Sequence, residues 1–240
     1  MRRWSIEPNE QIPFDIRHHD DDLLVVDKPA GVVSEPGKGH PRDSLLNGLF
    51  AHFGAALQNL GEERDWGLLH RLDRDTSGLL LVALRNRAYD RLREQFEERR
   101  VKKRYLALVA GVPAPRQGVI QKPVAEVLGL RKRAVIRRDA APAITAYKVL
   151  DATPAVSLIE ARPATGRLHQ IRVHMASIDC PVLGDDTYGR AARALRVPRL
   201  CLHAAGLSFV HPTANTRLTV DSPWPADLAG TLKRLGLHLP

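Results

Sequence analysis

Short apolar runs separated by polar loops are the feature of this sequence that most restricts how the chain can fold. Each run is only four to six residues long, and the clearest lie at residues 23–26, 79–84 and 105–110; residues 156–161 are strand-like too. Runs of this length, bounded by glycine, proline or charged residues, are typical of buried β-strands. Strands therefore dominate the predicted structure.

Helical spacing of apolar residues marks three other segments. They are residues 44–53, 86–96 and 168–175. Ser44 and Asn86 can cap the first two helices, and Leu168 and Ile171 should anchor the third to the core. Because the strands follow one another by hairpin-style connections, without regular strand–helix alternation, the sequence predicts an α+β fold: a mixed, largely antiparallel central sheet with flanking helices.

Charge and cysteine content narrow the function classes. The 240 residues carry a formal net charge of +9, with a sequence pI near 10.0, which favours a polyanionic partner. The two cysteines, Cys180 and Cys201, are too few for a disulfide framework and lack the spacing of a zinc site. Since no apolar run approaches the roughly 18 residues of a membrane helix, we expect a soluble cytoplasmic protein.

The segment His70–Gly78 concentrates charged and small polar residues between two apolar runs. A loop of this composition, held by a rigid scaffold, is suited to binding or catalysis. Composition alone favours a solvated turn with capping side chains, because aspartate, serine, threonine and glycine all favour turns.

Three motifs in this sequence carry a family resemblance. His70–Ala83 closely resembles the signature loop of RluA-like pseudouridine synthases, Asp22–Gly31 resembles the first motif of that family, and Ala164–Met175 resembles the third. Pro181–Asp185 is also family-like, and the similarity extends over residues 20–228. It implies a pseudouridine synthase fold with a central catalytic cleft, and an isomerase that converts a specific uridine of rRNA or tRNA to pseudouridine without metal, nucleotide or redox cofactor.

The resemblance also implies a domain organisation. Residues 1–19 are interpreted as an N-terminal extension and residues 20–240 as the catalytic domain. This arrangement, without a small RNA-binding domain before the first motif, is typical of the RluA/TruC-like branch. We expect a monomer whose partner is RNA.

The resemblance implies the role of each catalytic residue. Asp73 is the nucleophile, Arg172 the cation that pairs with it, and Tyr105 the aromatic residue over the target base. A buried carboxylate needs a nearby cation to stay ionised, and a flipped base needs a face that replaces its lost stacking. The alternatives are that Arg172 is a solvated arginine on a helix surface and that Tyr105 is a half-buried strand residue of the core.

Further substrate contacts are assigned on the same resemblance. They are Arg71, which fills the gap left by the extruded uridine, Ile171, which packs under the base, and Leu72, His70 and Thr76. His169 and His174 are five residues apart and not four, which takes them off a common helical face. We therefore reject a metal site and interpret these histidines, with His70, as hydrogen-bonding scaffold or RNA contacts.

Two basic runs are candidate RNA-binding surfaces. One comprises Arg99, Arg100, Lys102, Lys103 and Arg104; the other comprises Arg131, Lys132, Arg133, Arg137 and Arg138. We assign Arg131, Lys132 and Arg133 to substrate binding, although such runs are often only solvated faces. Two other functions stay open: a non-catalytic RNA-binding or ribosome-assembly protein on the same fold, and a glycosidase that uses Asp75 as a second acid.

Overall fold

The computed structural model describes residues 4–129, 132–189 and 195–239, and the chain divides into two compact units. The first unit comprises Met1–Lys102 and Gly206–Ser222; the second comprises Lys103–Ala205 and Pro223–Pro240. Strand β10 (Leu202–Val210) contributes residues to both. Each unit is described by itself below.

Antiparallel strands and two helices build the first unit. Its elements are β1 (Asp15–His19), β2 (Leu23–Lys28), α1 (Leu45–Leu60), a 3-10 helix (Glu62–Gly67), β3 (Ser77–Ala83), α2 (Asn86–Glu97) and β11 (Arg217–Asp221). Strand β2 pairs with β1 on one side and with β3 on the other, and β11 pairs with residues 206–210 of β10. Every residue of β3 is buried, as the apolar run 79–84 predicts.

Helix α1 confirms one predicted cap and α2 contradicts the other. The hydroxyl of Ser44 accepts the backbone N–H of Asn47, and the helix continues to Leu60, beyond the predicted end at residue 53, because Leu57 and Leu60 extend its buried face. In α2, Asn86 is already the first helical residue and Arg85 precedes it without a side-chain cap. The predicted Asn86 cap is therefore wrong.

Strand β1 lies within the segment interpreted as an N-terminal extension. Residues 15–19 pair with β2, with Ile16 opposite Val26, so that the first unit includes them. The interpretation of residues 20–240 as one catalytic domain stays a prediction.

Antiparallel strands carry the other unit as well. Its elements are β4 (Lys102–Ala110), β5 (Gln117–Gln121), β6 (Val124–Val127), β7 (Arg133–Ile136), β8 (Ile144–Ala152), β9 (Val156–Pro163), α3 (Gln170–Ala176) and α4 (Ala226–Arg234). The strands run in the order β4-β9-β8-β5, and β6 and β7 form a separate hairpin. This arrangement confirms the predicted α+β fold with a largely antiparallel sheet.

The two faces of this sheet carry different helices. Ala107 and Val109 of β4 belong to a core cluster that includes Ile171 and Met175 of α3. Leu106 and Leu108 face the opposite side, in a cluster with residues of α4. Helix α3 begins two residues later than predicted, because His169 before it adopts a left-handed backbone. Leu168 is consequently outside the helix and only partly buried, and its predicted role as a helical core anchor is wrong.

Candidate active site

The loop that carries Asp73 is a tight turn fixed at the residue before it. The backbone N–H of Thr76 donates to the carbonyl oxygen of Asp73 at 3.1 Å. Ser34 binds Leu72 twice: its hydroxyl accepts the Leu72 N–H at 3.0 Å and donates to the Leu72 carbonyl oxygen at 2.9 Å. Leu72 and Ser34 are both buried, so these bonds hold the backbone immediately before Asp73 in one position.

The residue after Asp73 is held by the first motif. The ammonium of Lys28 donates to the carbonyl oxygen of Arg74 at 3.1 Å, and the backbone N–H of Gly31 donates to the same oxygen at 2.8 Å. Lys28 is completely buried and also donates to the carbonyl oxygens of Pro29 and Val32. The segment Asp22–Gly31 therefore positions the Asp73 loop.

Sequence reasoning missed the roles of Lys28 and Ser34. Lysine is almost never fully buried unless its ammonium is paired. A lysine that closes an apolar strand, directly before a proline and a glycine turn, was the available signal for Lys28. Ser34 carries no comparable signal.

Other predicted contacts in this loop take different positions. Arg71 is exposed and forms an ion pair with Glu35. The Nε2 atom of His70 accepts the backbone N–H of Leu81 at 3.1 Å, which agrees with its interpretation as scaffold. Thr76 is only 2% exposed, and its hydroxyl has no hydrogen-bond partner among the residues that the structure describes. Direct contact of Thr76 with RNA would therefore need a movement of the loop.

Arg172 lies in α3 with its guanidinium fixed by a carboxylate. Its Nε atom donates to Asp185 Oδ2 at 2.7 Å, and one terminal nitrogen donates to Asp185 Oδ1 at 3.0 Å. The side chain of Arg172 is 11% exposed and that of Asp185 is 0% exposed. Arg172 is thus not a solvated surface arginine, and that alternative is wrong. A bidentate pair of this kind fixes the guanidinium plane as well as its position.

The charge state of Asp185 follows from two opposing effects. Burial raises the pKa of the carboxyl group, but hydrogen bonds and the charge of Arg172 outweigh it, assisted by the backbone N–H groups of Tyr188 and Thr187. The pKa of Asp185 therefore lies below its ordinary value, and the pair is ionised at neutral pH. Asp185 belongs to the family-like segment 181–185, but its role as the partner of Arg172 was not predicted from sequence.

Tyr188 connects Arg172 to the β6–β7 hairpin. Its hydroxyl accepts the backbone N–H of Ala134 in β7 at 2.7 Å and lies 3.0 Å from Nδ1 of His169. The guanidinium carbon of Arg172 lies 5.4 Å from the centre of the Tyr188 ring, within the range of cation–π attraction. The hairpin is packed on α3 by Val173 as well.

Tyr105 and Ile171 share one core cluster of the second unit. Tyr105 is partly buried in β4 and packs against the cluster that contains Ile171, which is buried in α3. This position is that of a half-buried strand residue, as the alternative interpretation has it. The role of Tyr105 over a base stays a prediction.

The basic runs are less uniform than their sequence indicates. Arg131 lies outside the described residues, whereas Lys132 and Arg133 are exposed at the start of β7. Arg137 is paired with Asp139 at 2.7 Å, and Arg100 is paired with Glu98. Acidic neighbours thus offset part of each run, and Lys132 and Arg133 are the better candidates for phosphate contact.

The histidines of the third motif act as scaffold. His174 is buried, with Nδ1 at 2.9 Å from the hydroxyl of Thr145 and Nε2 at 2.9 Å from the carbonyl oxygen of Lys122. Burial lowers the pKa of His174, so its ring is neutral at pH 7. Both ring nitrogens face protein partners, which agrees with the predicted hydrogen-bonding role.

Asp20, Asp22 and His211 form a group with the composition of a metal site, since their ligand atoms lie within 4.8 Å of one another. The Nδ1 atom of His211 accepts the backbone N–H groups of Thr213 and Ala214, at 3.2 and 3.0 Å. The ring proton is therefore on Nε2, which points at Asp20 at 3.0 Å. A protonated nitrogen offers no lone pair to a metal, so this group is a hydrogen-bonded cluster.

Among the described residues, no helix combines the length and the apolar character needed to cross a bilayer.

Comparison with known proteins places this chain among enzymes that modify RNA. A sequence model described as RNA pseudouridylate synthase matches residues 22–177. An uncharacterized RNA pseudouridine synthase of Mycobacterium bovis is 39% identical over 236 residues, which cover 95% of this chain and 76% of the relative. The ribosomal large subunit pseudouridine synthase D of Nitrosomonas europaea is 40% identical over 233 residues, 94% of this chain and 66% of the relative.

A solved structure leads to the same assignment. Human RNA pseudouridylate synthase domain containing 4 matches with a TM-score of 0.74 and 29% sequence identity, over 94% of each chain. Fold and matches together define an isomerase that acts on RNA. The chain belongs to the RluA-like family of RNA pseudouridine synthases. The family, the reaction class and the α+β fold predicted from the sequence are therefore confirmed.

Proposed function

We propose that this chain converts a uridine of large-subunit ribosomal RNA to pseudouridine, with Asp73 as the nucleophile. The observation that carries the proposal is the fixed backbone on both sides of Asp73, from Ser34 on Leu72 and from Lys28 on Arg74. A nucleophile held in one position reacts with a positioned substrate at far lower entropic cost than a mobile one. The choice of ribosomal RNA over tRNA is supported by relatives named ribosomal large subunit pseudouridine synthase D.

The reaction breaks the bond between N1 of uracil and C1′ of ribose and forms a bond between C5 and C1′. The C5 proton is lost and N1 gains a proton, so the reaction has no net redox change and consumes no water. A carboxylate nucleophile divides this isomerisation into two easier steps through a covalent intermediate. Asp73 supplies that carboxylate.

Arg172 and Tyr105 take the roles that the family resemblance implies, as the cation of the nucleophile and the aromatic face for the base. Asp185 supports this role of Arg172, since it holds the guanidinium in one orientation before substrate arrives. Ile171 supports the role of Tyr105, since Tyr105 packs against the core cluster to which Ile171 belongs.

RNA labelled with tritium at C5 of uridine tests the proposal, because each turnover releases that tritium to water. We expect release from large-subunit rRNA with the wild-type protein, release reduced to background with Asp73→Asn, and near-normal release with Asp75→Asn. Asp75 is a matched control in the same loop, since its carboxylate pairs with its neighbour Arg74 at 3.0 Å.

Three outcomes would contradict the proposal. Undiminished release by Asp73→Asn would remove the nucleophile assignment. Release from tRNA and not from rRNA would correct the substrate. Wild-type protein that binds RNA but releases no tritium would favour the non-catalytic RNA-binding alternative.

A further inference from the structure

Strand β4 presents Lys103 on the same side as Tyr105. Side chains of a strand alternate between its two faces, so residues two apart share a face. Tyr105, Ala107 and Val109 all pack against the cluster under α3, whereas Leu106 and Leu108 pack on the opposite side. Lys103 therefore belongs to the face of β4 that Tyr105 shares and that packs against the cluster containing Ile171.

The ammonium of Lys103 lies against a rigid turn of the third motif. Its Nζ atom is 3.7 Å from the position that a Cβ on Gly166 would occupy. The side-chain oxygen of Gln170 fixes this turn by accepting the Thr165 hydroxyl at 2.7 Å and the Arg167 N–H at 3.0 Å. Lys103 thus lies between Tyr105, on the same strand, and the third motif, which carries Arg172.

The ammonium group of Lys103 is partly buried but lacks, among the described residues, the polar partners that a structural lysine usually has. The residue is partly buried, and burial lowers the pKa of its ammonium. Within the described part of the chain its side chain forms neither a hydrogen bond nor an ion pair, in contrast to the buried Lys28, which has three carbonyl partners. A desolvated charge without a partner lowers the stability of the fold. Such groups concentrate at sites where a ligand provides the opposite charge or the hydrogen-bond acceptor.

We propose that Lys103 Nζ contacts the carbonyl oxygens of the target uracil and stabilises the negative charge that the base acquires while it is detached from ribose. This inference rests on the proposed function, in particular on Tyr105 facing the base. When the Asp73 carboxylate bonds to C1′ and the N1–C1′ bond breaks, the electron pair of the broken bond stays on the uracil and is delocalised onto O2 and O4. A preorganised cation in a desolvated site stabilises such developing charge far better than water does.

The charge is transient, which makes the contact specific for the reacting state. When C5 bonds to C1′, the bond between C1′ and Asp73 breaks and releases the carboxylate. The C5 proton then leaves to solvent and N1 takes a proton from solvent, so that the base of the product is neutral. Lys103 therefore accelerates the reaction more than it strengthens RNA binding.

The test compares Lys103→Met and Lys103→Arg with the control Lys148→Met in the full chain, using rRNA substrate. Lys148 is an exposed lysine of β8 in the same sheet. We expect Lys103→Met to lower the single-turnover rate by about 10²- to 10³-fold while the RNA dissociation constant changes by less than about twofold. Lys103→Arg should keep part of the rate, because it keeps the charge, and Lys148→Met should behave as wild type.

A thermal unfolding curve separates this role from a structural one. Since an unpaired, partly buried ammonium destabilises the fold, Lys103→Met should unfold at the same temperature as wild type or higher. Weaker RNA binding with a smaller salt dependence and an unchanged rate would make Lys103 a phosphate contact and overturn the inference. A wild-type rate in Lys103→Met would overturn it too. Inert wild-type protein would instead refute the proposed function, and the inference with it.

Discussion

The side-chain nitrogen of Lys28 lies 3.1 Å from the backbone carbonyl oxygen of Arg74, 46 residues further along the chain. This bond joins the first motif to the residue that follows Asp73. Lys28 is fully buried and donates to two more carbonyl oxygens. A buried lysine at the end of an apolar strand thus helps to fix the position of the loop that carries Asp73.

Replacement of Lys28 by methionine should therefore weaken both the fold and the reaction. Methionine keeps most of the apolar stem but removes the Lys28 donor from the carbonyl oxygens of Pro29 and Val32 and leaves that of Arg74 with the Gly31 N–H, which we expect to cost about 3 kcal/mol in the free energy of unfolding. Urea unfolding measures this loss, and the single-turnover rate should fall while RNA binding is kept. The exposed Lys38→Met is the control. A Lys28→Met protein with wild-type rate would show that the loop holds its position without this bond.

Asp185 should affect both the stability and the reaction rate, because it fixes the guanidinium of Arg172. Asp185→Asn keeps the size of the side chain but removes the carboxylate that fixes the buried guanidinium of Arg172. We expect a loss of about 3–5 kcal/mol in the free energy of unfolding and a reduced single-turnover rate. The control is Asp179→Asn. Asp179 is exposed after α3 and has a left-handed backbone, a conformation that asparagine also adopts readily. Equal stability of Asp185→Asn and wild type would contradict the role of the pair.

The sequence predicts features that depend on neighbouring residues better than features that depend on contacts between distant parts of the chain. Apolar runs place β2, β3 and β4, because a strand between two packed layers needs an unbroken apolar segment. Helix ends are less predictable: Asn86 was wrong as a cap, and His169 delays the start of α3 by a left-handed backbone that no local pattern indicates.

In the candidate site too, some residues are recognised from local motifs and others only from the tertiary structure. Asp73, Arg172 and Tyr105 are identified by motifs, but Ser34, Lys28 and Asp185 act through contacts with residues distant in sequence. Such contacts depend on the tertiary structure, and a single sequence carries no direct record of them. The sequence indicates only that Arg172 lies on a helix. The structure adds that its side chain is buried and is fixed by the carboxylate of Asp185.

Acid should destabilise the first unit through Asp20. Burial raises the pKa of its carboxyl group, but hydrogen bonds from His18, Asp22, His211 and Leu23 outweigh it and lower the pKa from 3.8 to about 2. The stabilisation is therefore fully present above pH 4 and is lost as pH falls toward 2.

Thermal unfolding between pH 2 and pH 7 measures this dependence. Asp20→Asn should be less stable than wild type at pH 7, and the difference should shrink below pH 4. Asp21→Asn, whose side chain is 91% exposed, should follow the wild-type curve. A difference between Asp20→Asn and wild type that stays constant down to pH 2 would rule out this carboxylate as the titrating group.

The exposed residues Lys132 and Arg133 should contribute to RNA affinity through phosphate contacts. The slope of log affinity against log salt falls by roughly 0.7–0.9 for each phosphate contact removed. The double variant Lys132→Ala, Arg133→Ala should thus reduce the slope by roughly 1.5. Arg137→Ala is the matched control, because Asp139 already neutralises that charge. An unchanged slope in the double variant would assign both residues to a solvated surface.

The most direct test of the central claim is a pseudouridine map of total RNA from a strain that lacks this protein, complemented with wild type or with Asp73→Asn. We predict that wild type restores pseudouridine at one or a few uridines of large-subunit rRNA and that Asp73→Asn leaves them unmodified. Identical maps for the two complemented strains would contradict the account.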